Sequence, residues 1–212
     1  MKLGALAAGA AVVCLGWAAS AQAGVAYNNF DAGGGFDNTQ GWAVLGPNTI
    51  THVTIDSAMA FTAGASGRVT QIDLALAVSS GPREMDVSLW TDGGGAFGTE
   101  LGTWHVSSVP KPLGTTPVTI SGIAGVSVTA GSSYWLNASA TGATSGEWDE
   151  NDIGDVGVLE QSGVNFPKTN LGAFDVLTGG VPEPGVWAMM LVGLGGMGAV
   201  MRRRRPATAA LV

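Results

Sequence analysis

Cysteine is almost missing from this 212-residue chain: there is one, Cys14, and it sits in an N-terminal apolar run. Disulfides, Cys-based zinc sites and a thiol nucleophile are therefore excluded from everything downstream, and burial of apolar surface must hold the fold together. Basic residues are almost as scarce. Between residues 24 and 180 only Arg68, Arg83, Lys111 and Lys168 oppose fifteen acids, a net charge of −11 for that span. Such a surface repels phosphate backbones, so nucleic acid is excluded as a partner. Histidine is limited to His52 and His105, neither beside a nucleophile motif, and no G-x-S-x-G or H-E-x-x-H occurs. Any two of the acids could still meet in space as a carboxylate pair, but no spacing marks one. The expectation is a protein that is not an enzyme.

Helical periodicity is also missing between residues 24 and 180. Period-two alternation replaces it, in short runs punctuated by Gly, Pro, Asp and Asn. In Arg68–Val78, Ile72, Leu74, Leu76 and Val78 alternate with Gln71, Asp73, Ala75 and Ala77. In Glu84–Thr91, Met85, Val87 and Leu89 alternate with Asp86, Ser88 and Trp90, after a turn at Ser79–Pro82. Further strands are expected at Val25–Phe30, Trp42–Leu45, Thr51–Ile55, Met59–Ala63, Glu100–Val106, Thr116–Ser121, Gly125–Thr129, Ser132–Ser139, Asp155–Leu159 and Ala173–Leu177. Short strands with regular turn signals predict an all-β antiparallel β-sandwich of jelly-roll type.

Two constellations in this span invite a ligand. The run Glu147–Asp155 is an acidic loop by composition, and Asp149, Asn151, Asp152, Asp155 and Glu160 supply the oxygens that calcium takes. The EF-hand frame counted from Asp149 fails at Ile153, so a solvated acidic loop is the plainer expectation and no cofactor is required. Trp90, Trp135 and Trp148, if exposed on a sheet face, could stack on sugar rings, but burial at the core or under loops is the plainer expectation. Gly33–Gly35 and Gly93–Gly95 lack the strand–loop–helix setting of a phosphate loop and read as turns. Asn137-Ala138-Ser139 is formally a glycosylation acceptor, but it falls inside an expected strand.

What the sequence has in strength lies at its ends. Met1-Lys2, the apolar run Leu3–Ala19 and small Ala21 and Ala23 form a secretory signal peptide over residues 1–23, with cleavage leaving Gly24 first. A lipoprotein signal at Cys14 is disfavoured, because bulky Val13 precedes it and the apolar run continues past it. At the other end stand Val181, Pro182, Glu183 and Pro184, then the apolar run Gly185–Met201, then Arg202, Arg203, Arg204 and Arg205. The apolar run reaches ~25 Å as a helix, a little short of the ~30 Å hydrocarbon core. Trp187 and the arginines make up the difference at the two interfaces, and the arginines hold their end in the cytoplasm. Pro182 and Pro184 keep this stretch of chain extended.

These three features in this order resemble the PEP-CTERM sorting signal of Gram-negative bacteria. The resemblance implies an exported protein, recognised at Pro-Glu-Pro and processed by an exosortase, an integral-membrane cysteine protease. Domain boundaries follow: residues 24–180 exported, 181–205 the sorting signal with a single transmembrane helix, and 206–212 a short tail. Within the exported part, Thr70–Leu76, Val87–Gly94 and Leu113–Leu136 are similar to the β-rich "choice-of-anchor" domains found on such proteins. That class brings no established activity. The expectation is therefore passage through the Sec machinery, anchoring in the cytoplasmic membrane with the domain in the periplasm, then release to the cell surface or extracellular matrix. Exopolysaccharide is the candidate partner there, and a carbohydrate- or calcium-binding module is the alternative reading.

Overall fold

A computed structural model describes residues 24–179. The signal peptide, the sorting motif and the transmembrane helix expected from the sequence lie outside the described residues. Among the described residues every element is a strand, and no helix is long and apolar enough to cross a membrane.

The fourteen strands form three antiparallel sheets. The first joins β1 (Gly24–Asn28), β14 (Phe174–Gly179), β4 (Gly67–Leu74) and β8 (Val118–Ser121), with β9 (Ser127–Val128) also on β4. The second runs β13 (Val164–Asn170), β12 (Val156–Gln161), β3 (Ser57–Thr62), β10 (Ser133–Ala140), β6 (Glu84–Asp92) and β7 (Phe97–Ser107). The third is β2 (Asp37–Leu45), β11 (Ser145–Glu150) and β5 (Leu76–Ser80). Strands adjacent in the sheets are seldom adjacent in the chain; β6–β7 and β12–β13 are the hairpins among the described ladders.

One continuous core joins the sheets. Val69, Ile72 and Leu74 from β4, Met85, Val87 and Leu89 from β6, Met59 and Phe61 from β3, and Phe174 and Val176 from β14 are buried together. Each fully buried side chain of this size contributes about 1.5–3 kcal/mol relative to exposure. In β4 and β8 alternation works as expected: the inward set is apolar and the outward set polar.

Four expectations need correction. Arg68–Val78 is not one strand. It turns a corner at Ala75, so that β4 serves the first sheet and β5 the third, and Leu74 through Val78 are all buried. A corner residue covered on both faces breaks period two. Thr51–Ile55 is not a strand; His52 takes φ 51°, and only Ile55 bridges to Leu45. Glu147–Glu150 is not loop but the second half of β11, the central strand of its sheet. Finally, β13 carries Pro167 and Lys168 with φ 59°, which hid it from a strand reading. Both features suit an exposed edge, where a missing N–H and a twist discourage further pairing.

Candidate functional site

The two ends of the described domain meet. Gly24 pairs with Thr178 in the β1–β14 ladder, and the Thr178 hydroxyl donates to the Gly24 carbonyl at 3.2 Å. A methyl on Gly24 would lie 2.8 Å from Thr178 Oγ1, so this close approach needs glycine. The strand that follows the expected cleavage point therefore lies against the strand that runs into the C-terminal segment. No linker of appreciable length separates β14 from the motif residues: Gly179 ends the strand and Val181 begins the motif.

The acidic run Glu147–Asp155 does not gather its oxygens around one point. Asn151 is buried and committed: its Oδ1 accepts from the Asp155 amide at 2.7 Å, and its Nδ2 faces the Leu171 and Asp155 carbonyls at 2.7 and 2.8 Å. It braces the loop that returns the chain from β11 to β12. The Asp155 carboxylate accepts from the Tyr27 hydroxyl, Glu160 accepts from the Gly163 amide in the β12–β13 turn, and Asp152 is exposed. Asp149 is buried on β11 with Oδ1 lacking any hydrogen bond. Burial, aided by the negative charges of Glu147 and Asp37, pushes its pKa up to about 7. Among the described residues no three His, Cys, Asp or Glu side chains converge as a metal site.

The aromatic set divides too. Trp148 is wholly buried, 5.6 Å from the Phe174 ring, and its indole N–H donates to the Ala173 carbonyl at 3.0 Å. Trp135 points to the outer face of the six-stranded sheet, as its position in the alternation implies, yet it is only 2% exposed. Phe97, at the start of β7, sits edge-on to it at 5.7 Å, and Asp92 takes its indole N–H at 2.9 Å. Neither ring can stack on a sugar. Trp90, half-buried, pairs with Phe97 at 5.5 Å and donates to Ser88. Burial of Trp135 and Trp148 is the plainer of the two expectations, and Phe97 covers Trp135 on the face that strand periodicity would leave wet. Asn137 lies mid-strand in β10 with its amide directed at Ser88, 3.4 Å away, enclosed by β3 and β6.

His105 is exposed on β7 and hydrogen-bonded to Asp86 at 2.8 Å, while His52 is in an exposed turn. One carboxyl pair does form. Asp73 and Asp175 are register partners on β4 and β14, the Asp73 amide donates to Asp175 Oδ1 at 3.3 Å, and Gln71 donates to Asp73 at 2.7 Å. Sequence offered no sign of it, because the two lie 102 residues apart.

The largest irregularity in the sheets is a split. β12 pairs with β3 only at Leu159–Met59, Glu160–Ala58 and Gln161–Ser57. Beyond that, Ala60–Thr62 and Val156–Val158 face one another across a cavity of about 370 Å³. Beside the split, Leu171 seats against the bare backbone of Gly157, where a methyl would come within 2.8 Å of Leu171 Cδ1. Tyr27, Phe61 and Leu171 line the cavity's inner side, and Asp155 and Ser133 also contribute to its wall.

The described residues form an all-β antiparallel domain whose last strand ends just before the C-terminal segment. Comparison with protein families gives that segment its name: residues 180–205 match the PEP-CTERM protein-sorting motif. The chain thus carries a PEP-CTERM protein-sorting motif directly after its β domain. No curated protein matches the chain.

Proposed function

We propose that the protein is a non-catalytic surface or matrix protein whose β-sandwich is the lasting product and whose C-terminal signal is transient. The chain would enter the Sec pathway by residues 1–23, rest in the cytoplasmic membrane by Gly185–Met201, and be processed by an exosortase near Val181–Pro184. The observation that carries this reading is the sorting motif at residues 180–205, immediately after the closing strand of the domain. The similarity of Thr70–Leu76, Val87–Gly94 and Leu113–Leu136 to choice-of-anchor domains supports it. So does the use of the acidic and aromatic residues: Asn151, Asp155, Glu160, Trp135 and Trp148 each have structural partners.

The test is expression of the full chain with and without an exosortase, following intact mass and membrane fractionation for wild type and Glu183→Ala. The expected product in the exosortase strain has lost Arg202–Arg205 and left the membrane fraction, and Glu183→Ala keeps both. A wild-type product that retains the arginines in that strain would make the segment a permanent anchor.

A further inference from the structure

The split between β3 and β12 is a gap inside a sheet, and that makes it chemically unusual. Strands on either side of such a gap direct backbone N–H and C=O groups into it, groups that folded proteins otherwise pair. The walls of the 370 Å³ cavity include the halves of these two strands that do not pair with each other: Ala60–Thr62, whose other edge pairs with β10, and Val156–Val158, whose other edge pairs with β13. A second cavity, of about 490 Å³, adjoins the first: Ala60, Ser133 and Val158 line both. It lies over the outer sheet face, between Trp135 and Pro167. Above Trp135 the two hairpin tips are tied together, because the Asn165 side-chain amide donates to the Gly95 carbonyl at 2.9 Å. Both volumes fall within the range of ligand pockets, about 300–1,000 Å³.

We propose that this split is a strand-insertion site for an extended peptide. Main-chain groups of the peptide would complete the ladders left open on β3 and β12, as in recognition by added strands. Its side chains would alternate, one inward toward Tyr27, Phe61 and Leu171, the next outward into the groove beside Trp135. The inner pocket is apolar at its base and takes a small aliphatic side chain. The outer groove takes a long basic one, its stem on Ala60, Val158 and Pro167 and its head toward Asp92. Charge decides this: Asp92 and Asp155 are the charged side chains lining the two cavities, and no lysine or arginine lines either. An anionic ligand is thereby disfavoured.

The test uses the full chain purified in detergent and a fluorescein-labelled peptide, Val-Lys-Val-Lys-Val-Lys. Saturable binding is expected by anisotropy, with slowed hydrogen exchange at Ala60–Thr62 and Val156–Val158. N-methylation of alternate peptide amides should weaken it by at least about tenfold, because one rung in two is lost. Ala60→Phe, which fills the outer groove, should weaken it as much, whereas Ala60→Gly should keep it; both variants are first shown to melt cooperatively. Absence of saturable binding overturns the proposal, as does binding indifferent to N-methylation. Protection of the same amides by unlabelled cellohexaose, without peptide binding, would assign the split to polyhydroxylated ligands instead.

Discussion

Asp73 and Asp175 face each other across the β4–β14 ladder, with the Asp73 main-chain amide donating to the Asp175 carboxyl. Burial, reinforced by the charge of Asp73, pushes Asp175 up to about 7, and Asp73 Oδ1 has no hydrogen-bond partner. A carboxyl held up in the folded state binds its proton more tightly there than in the unfolded chain. Its stabilisation is complete below the unfolded value of ~4 and is lost as pH rises toward 7. The melting temperature is therefore expected to fall between about pH 4 and about pH 7. Asp175→Asn, which keeps the acceptor for the Asp73 amide, should flatten part of that slope; an unchanged profile in a thermal melt series would count against the pair.

Asp149 supplies the rest of the slope by a separate route. It is buried on β11 without a hydrogen bond to Oδ1, and Glu147 and Asp37 are the charged groups that act on it. Asp149→Asn removes the ionisation and should raise stability at about pH 8 by roughly 1 kcal/mol or more, with little effect near pH 4. Denaturant midpoints at the two pH values measure it.

Asn151 holds the β11–β12 connection through partners on its own loop and on Leu171. Asn151→Ala leaves those buried groups unpaired and should cost about 2–3 kcal/mol. The loss is expected to be the same with millimolar calcium as with chelator. A calcium-dependent difference in the melt would restore the ligand reading of Asp149–Asp155.

The core aromatic layer around Trp148 is close-packed. Trp148→Ala should cost about 3–5 kcal/mol. A methyl on Gly172 would lie 2.5 Å from Trp148 Cδ1, so Gly172→Ala should cost about 1–3 kcal/mol through overpacking. Near-ultraviolet circular dichroism and urea midpoints report both.

Most strands were legible because alternation is a local signal, present in Met85–Leu89 or Ile72–Leu74 whatever those strands pair with. Failures came where a residue served two surroundings. Ala75 turns a corner and is covered on both faces, Pro167 and Lys168 shape an edge, and Asp149 is an acid inside a sheet. Composition alone made Glu147–Asp155 a loop; β2 and β5, pairing from either side, made its first half a strand.

By itself, then, the sequence determined the address of this protein and the strand character of its domain. Export and sorting signals are linear segments read by machinery, and period two needs only neighbours in the chain. Tertiary structure decided which side chains meet. Tyr27 reaches Asp155 across 128 positions, and Trp135 is covered by Phe97 rather than by solvent. The β3–β12 pairing stops at Met59, and Leu171 packs against Gly157 beside the split that follows. Register and crossovers fix such contacts, and a one-residue slip would exchange the two faces of any strand, so alternation within a strand cannot specify them.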